Sequence, residues 1–114
     1  MSSEVLSWRL AIFPDELSQI QAILTENIPR LTVWAYGSRV HHKHLKSFSD
    51  LDLVVFSKLD DPVDSLLLQE IFAESNLPFN VDVSMWERLP DWLQQQIQRD
   101  HIVLQDCEHP EIRS

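Results

Sequence analysis

Two aspartates one residue apart, Asp50 and Asp52, open the apolar run "DLDLVVF", and a third, Asp82, lies inside "NVDVS". On an extended chain Asp50 and Asp52 point to the same side, about 6–7 Å apart. Asp82 stands between Val81 and Val83 and points away from the side those valines occupy. Aspartate is depleted in strands, and a charge beside a core is costly unless it meets a cation or a strong donor. Three converging carboxylates repel one another unless a divalent cation sits between them. Mg²⁺ takes one or two carboxylates and completes its octahedron with water and substrate phosphates.

Upstream lies "YGSR", with the only glycine of the chain, Gly37, followed by Ser38 and Arg39. Gly37 falls where a strand gives way to a predicted short helix, and a residue without Cβ lets the backbone turn and approach a ligand closely. Ser38 is suited to cap that helix, whose free N–H groups favour an anion, and Arg39 adds a charged donor. Phosphate at one end and metal at the other is the pairing that phosphoryl or nucleotidyl transfer needs. There, two ions can hold the attacking and leaving oxygens of an in-line displacement. Asp50 and Asp52 suit the ion on the triphosphate side. Asp82 suits a share of the second ion, or the base that takes the nucleophile's proton. The structural alternatives are a strand-end turn at Asp50 and Asp52, a supporting role for Asp82, and a plain helix cap at Ser38.

The charge distribution fits an anionic ligand. Formal net charge is −9, yet the window from Asn27 to Ser49 has no Asp or Glu and holds Arg30, Arg39, Lys43, Lys46 and three histidines. A local positive segment in an acidic protein suits a small anion such as a phosphate group; a solvated loop of mixed polarity is the other reading. The acidic balance argues against long DNA or RNA as the main ligand. The histidines His41, His42 and His44 are adjacent on a loop and lack the supporting hydrogen bonds that metal sites carry.

The elements that must position these residues follow from apolar spacing. "DELSQIQAILTENI" places Leu17, Ile20, Leu24 and Ile28 at intervals of three and four, an amphipathic helix with Asp15 as cap or first-turn acid. "LTVWAY" and "LDLVVF" read as strands, the second with Leu51, Leu53 and Val55 on one face. "DDPVDSLLLQEIFAES" predicts a helix capped by Asp61 with Pro62 in its first turn. Leu67 with Ile71, and Leu68 with Phe72, form its buried stripe. "FNVDVSMW" predicts a strand with Val81 and Val83 inward, "PDWLQQQIQRD" a helix pairing Leu93 with Ile97, and "HIVLQD" a last short strand. The fold class expected is α/β (α+β): helices packed on a small mixed sheet.

The chain has 114 residues, 44% of them apolar, and four tryptophans, enough for one packed domain over residues 1–114. Its single cysteine, Cys107, allows no internal disulfide and suits a reducing compartment. No stretch approaches the ~20 apolar residues needed to span a bilayer. The N-terminus has no basic segment followed by a long apolar one. A soluble, cytoplasmic domain is expected.

The set "YGSR", "SDLDLVV" and "NVDVS" resembles the signature of the polymerase-β-like nucleotidyltransferase superfamily: Gly-Ser on a strand-to-helix turn, Asp-x-Asp entering a strand, and a third Asp on a later strand. It is most similar to the minimal nucleotidyltransferase (MNT) domains found beside HEPN-family partners, from about Leu17 to Leu104. The resemblance implies that Gly37, Ser38 and Arg39 bind a nucleoside triphosphate and that Asp50, Asp52 and Asp82 bind Mg²⁺ and carry catalysis. The loop "HHKHLKSF" departs from the pattern: many relatives have a second glycine there, and this chain has none. The activity implied is transfer of NMP, AMP from ATP in the first instance, to a hydroxyl. In relatives paired with a HEPN toxin, that hydroxyl is a toxin tyrosine, and the transfer makes the enzyme an antitoxin. The other reading from the same resemblance is a non-catalytic antitoxin or assembly subunit acting by contact. A two-carboxylate hydrolase would leave Gly37, Ser38 and Arg39 without a role. Little of so short a chain remains for an acceptor pocket, so a hetero-oligomer is expected, with Trp8 and Trp86 as candidate anchors.

Overall fold

The structure, a computed structural model, describes residues 10, 12–37, 40, 50–58 and 63–106. Ser38, Arg39, the histidine loop, Trp8, Asp61, Pro62 and Cys107 lie outside the described residues.

Helix α1 spans Pro14–Asn27. Pro14 sits at the first helical position, where its missing N–H costs nothing. The Glu16 carboxylate reaches back to accept from the Phe13 N–H at 2.8 Å, satisfying a donor the helix leaves unpaired. Leu17, Ile20 and Leu24 form its buried stripe. The Ile28 N–H closes the last turn on the Leu24 carbonyl, and Pro29 follows.

Strand β1 (Thr32–Tyr36) pairs antiparallel with β2 (Leu51–Phe56). Helix α2 (Ser65–Ala73) then carries the chain across to β3 (Val81–Met85), which pairs parallel with β2. A parallel pair needs such a crossover. A single 3₁₀ turn, Trp86–Arg88, leads to helix α3 (Asp91–Arg99). The last strand, β4 (Ile102–Gln105), returns antiparallel to β1. The sheet order is β3-β2-β1-β4, so the mixed sheet and its helices agree with the expected class.

Side chains alternate across this sheet. One face presents Val33, Ala35, Leu51, Leu53, Val55 and Val81, and these join Leu17, Ile20, Leu24, Leu68 and Phe72 in one core. The edge strand β3 is closed by a side chain that imitates a neighbouring strand. Gln69 of α2 donates to the Val81 carbonyl and accepts from the Val83 N–H at 2.8 Å, which covers part of the open edge.

Three expectations need correction. The cap of α2 is Asp64, whose carboxylate accepts from the Leu67 N–H at 3.1 Å, and the helix begins at Ser65, after the Asp61–Pro62 pair. Its buried residues are Leu68 and Phe72, while Leu67 is 52% exposed. Three consecutive leucines leave the helix phase open in sequence, and the packing selects one i, i+4 pair. Trp86, expected as an outward anchor, is instead packed in an aromatic cluster. It stacks on Phe56 at 4.8 Å and meets Trp34 edge-on at 5.9 Å, while Trp34 stacks on His101 at 3.7 Å.

Candidate active site

The face of the sheet opposite the main core is divided along its length. Register puts Trp34 beside Val54 and Val54 beside Ser84, with the aromatic cluster over this part. One step along, Tyr36 pairs with Asp52 and Asp52 with Asp82. Because register partners point to the same face, phenol and two carboxylates form a row across three strands. The sequence expectation that Asp52 and Asp82 share a face is met. Asp50 lies one residue before β2 and is exposed, as is Asp82, whereas Asp52 is partly buried. Only Asp52 and Asp82 of the three are therefore strand residues, and only Asp52 is withdrawn from solvent.

Burial pushes the Asp52 carboxyl up to about 6, and the charges of Asp82 and Asp50 push the same way. Loss of hydration and like charge both disfavour the ionised form. Tyr36 responds to the same surroundings. Burial raises its phenol above 10, a hydrogen bond to Ser84 opposes this, and the charges of Asp52 and Asp82 add to the rise. The Tyr36 hydroxyl reaches the Ser84 hydroxyl at 3.5 Å.

Gly37 ends β1 with φ +87°, a conformation that side chains disfavour. A Cβ built there would overlap Oδ2 of Asp52 and lie 3.3 Å from its Cγ. The glycine is therefore required twice, by its backbone and by the carboxylate against it. The Gly37 carbonyl accepts from the Val40 N–H at 2.9 Å, a tight turn directly after the strand. Ser38 and Arg39, between them, lie outside the described residues.

Among the described residues, no three His, Cys, Asp or Glu side chains stand close enough to hold an ion together. Asp50, one residue before β2, is exposed, and its charge acts on the Asp52 carboxyl. The pair Asp52 and Asp82 nevertheless suits a hard divalent cation. Two adjacent anions, one partly desolvated, favour a cation electrostatically. Mg²⁺ needs only one or two carboxylates, with water and phosphate oxygens filling its other positions.

Beside Gly37 opens a cleft of about 220 Å³. Tyr36 and Gly37 form one side; Trp92, Leu93, Gln96 and Asp100 of α3 and its C-cap line the other. Tyr36 and this helix face are not among the residues that the sequence motifs single out. The signals were there: Tyr36 precedes the lone glycine, and Trp92, Gln96 and Asp100 recur every four residues beside the apolar pair Leu93 and Ile97.

The sequence profile of the "Polymerase beta, Nucleotidyltransferase" family matches residues 18–109, and the chain belongs to that family. It is 39% identical over 103 residues, 88% of each chain, to a Haemophilus influenzae protein named "Probable protein adenylyltransferase MntA". A solved toxin–antitoxin structure with AMP-PNP superposes with a TM-score of 0.62 at 26% identity, covering 77% of this chain and 71% of that one. The toxin–antitoxin MntA-HepT structure superposes at 0.58 with 24% identity over 81% and 71% of the two chains, a likeness of fold. No helix among the described residues is long and apolar enough to cross a membrane.

Proposed function

We propose that this chain is a Mg²⁺-dependent nucleotidyltransferase that moves AMP from ATP to a hydroxyl of a partner protein, a tyrosine of a HEPN-type toxin, and so acts as its antitoxin. The observation that carries this reading is the contact of Gly37 with Asp52, whose register partner is Asp82. The relative named as a protein adenylyltransferase and the toxin–antitoxin structure with AMP-PNP support the choice of nucleotide and of partner.

In the reaction, the acceptor oxygen forms a bond to the α-phosphorus, the bond to the β-phosphate oxygen breaks, and pyrophosphate leaves. The triphosphate lies against the backbone at the end of β1, where Gly37 leaves room for the Asp52 carboxylate to pack against it. Ser38 and Arg39, which follow it, supply a hydroxyl and a guanidinium to phosphate oxygens. Asp50, Asp52 and Asp82 would hold the cation, which would neutralise the triphosphate's charge. Asp82, exposed to solvent, would also take the acceptor's proton as the new bond forms.

A second reading is an antitoxin acting by contact alone, which the likeness to a toxin–antitoxin structure also supports. Co-expression with a HEPN-type toxin encoded beside it, followed by intact-mass analysis after incubation with ATP and Mg²⁺, separates the two. A toxin heavier by one or more AMP groups supports transfer. Co-elution without added mass supports the contact-only antitoxin and overturns the enzyme.

A further inference from the structure

The cleft beside Gly37 differs in chemistry from the carboxylate row it adjoins. Trp92, at its mouth, is 66% exposed, and its indole stacks on no ring among the described residues. A large exposed indole is costly to leave wet and offers a flat face to a planar ligand. Leu93 and the buried Ile97 supply apolar surface beside it. Gln96 lies one turn beyond Trp92 on the same face of α3, and Asp100, the C-cap residue, lines the cleft with them, so the cleft offers a ring laid on the indole an amide and a carboxylate.

We propose that this cleft is the nucleobase subsite of the nucleotide site, with Trp92 as its stacking platform and Asp100 as acceptor for an exocyclic amino group. The inference rests on the nucleotidyltransferase reading and adds where the base goes and which bases fit. Three features select this occupant. Tyr36 and Gly37 belong to both the cleft and the carboxylate row, so a nucleotide with its phosphates at Gly37 has its base within reach. The volume of about 220 Å³ falls below the ~300–1,000 Å³ of sites that enclose whole drug-sized ligands, which suits one ring system. Asp100 repels phosphate, so the triphosphate belongs on the other side of Gly37. A carboxylate accepts from the amino group of adenine but faces a carbonyl in hypoxanthine, which leaves it unpaired.

Calorimetric binding of ATP, ITP and inorganic tripolyphosphate to the full chain with Mg²⁺ tests this, using Trp92→Ala, Trp92→Phe and Asp100→Asn. The expected result is that Trp92→Ala weakens ATP by about 5–150-fold, the range of one base–aromatic stack. Tripolyphosphate binding should stay within about twofold, and Trp92→Phe should recover most of the loss. ATP should bind better than ITP, and Asp100→Asn should narrow that difference, because an amide can donate to a carbonyl. Equal ATP binding by Trp92→Ala and wild type overturns the subsite while leaving the nucleotide site standing. If that variant instead loses its protein partner, the indole is a protein anchor and the proposal is wrong. Parallel loss of tripolyphosphate also overturns it, as the effect would not lie with the base. If wild type binds neither ATP nor tripolyphosphate, the nucleotidyltransferase reading falls, and the subsite with it.

Discussion

Gly37 and Asp52 are packed so closely that a methyl group on the glycine would collide with the carboxylate and lie 3.3 Å from its Cγ. This contact ties the end of β1 to the start of β2, at the point where strand gives way to turn. It also explains why the one glycine of the chain stands at this position. The backbone there has φ +87°, and the space a Cβ would fill holds the carboxylate.

Gly37→Ala should therefore be destabilising by about 1–2 kcal/mol from the left-handed backbone alone, with a further cost from the collision. The two parts are separable. In an Asp52→Ala background Oδ2 and Cγ are gone, and the nearest remaining atom is the Asp52 Cβ at 3.6 Å, an ordinary contact. Urea denaturation of both single mutants and the double mutant should show Gly37→Ala costing less in that background. Strict additivity would mean that the collision relaxes without cost.

The raised Asp52 carboxyl gives a pH signature. Its folded value of about 6 lies above the ordinary 3.8, so the folded state holds this proton more tightly than the unfolded chain. Its contribution to stability is full below about pH 3.8, falls as pH rises towards 6, and stays low beyond that. Asp52→Asn removes the ionisation. Without metal, the mutant should melt higher than wild type at pH 8, and the difference should shrink at pH 4.5. The effect is moderated by solvent, since the side chain is only partly buried. A wild type that melts higher than Asp52→Asn at pH 8 without metal would contradict the account.

Asp82→Asn should lower kcat about 10²–10⁴-fold if the carboxylate takes the acceptor's proton, with the folded structure intact because Asp82 is exposed. Steady-state kinetics at saturating ATP and Mg²⁺, with circular dichroism as control, measures this. A change in KM alone would assign Asp82 to binding instead of proton transfer.

The phase of α2 can be read from stability. Leu68→Ala should cost about 2–5 kcal/mol, because Leu68 is 3% exposed. Leu67→Ala should cost far less, because Leu67 is 52% exposed. Chemical denaturation of the two neighbours gives the comparison, and equal costs would place the stripe elsewhere.

The parts legible in the sequence are those set by local pattern. "LDLVVF" is strand β2 residue for residue, because alternating apolar residues on a half-polar strand leave one register. Asp52 and Asp82 were assigned to one face by the same alternation, and β3 delivers them as register partners. The start of α2 is not legible in sequence, because Asp61–Pro62 and Asp64 offer competing caps, and the structure uses Asp64. Trp86 looked outward from its neighbours in sequence. Its aromatic partners Trp34 and Phe56 come from other strands, and no local pattern announces a contact of that range. The cleft beside Gly37 was hidden for the same reason: it forms only when the C-terminal end of β1 meets α3.

The central claim is nucleotidyl transfer at the Asp52–Asp82 end of the sheet. Its most direct test supplies the chain, together with the HEPN-type toxin proposed as its partner, with ATP labelled at either the α- or the γ-phosphate, and follows the label into protein. The account predicts that α-label enters the toxin only with Mg²⁺, that γ-label leaves as pyrophosphate, and that Asp52→Asn abolishes incorporation. Incorporation of γ-label, or undiminished transfer of α-label by Asp52→Asn, would contradict it.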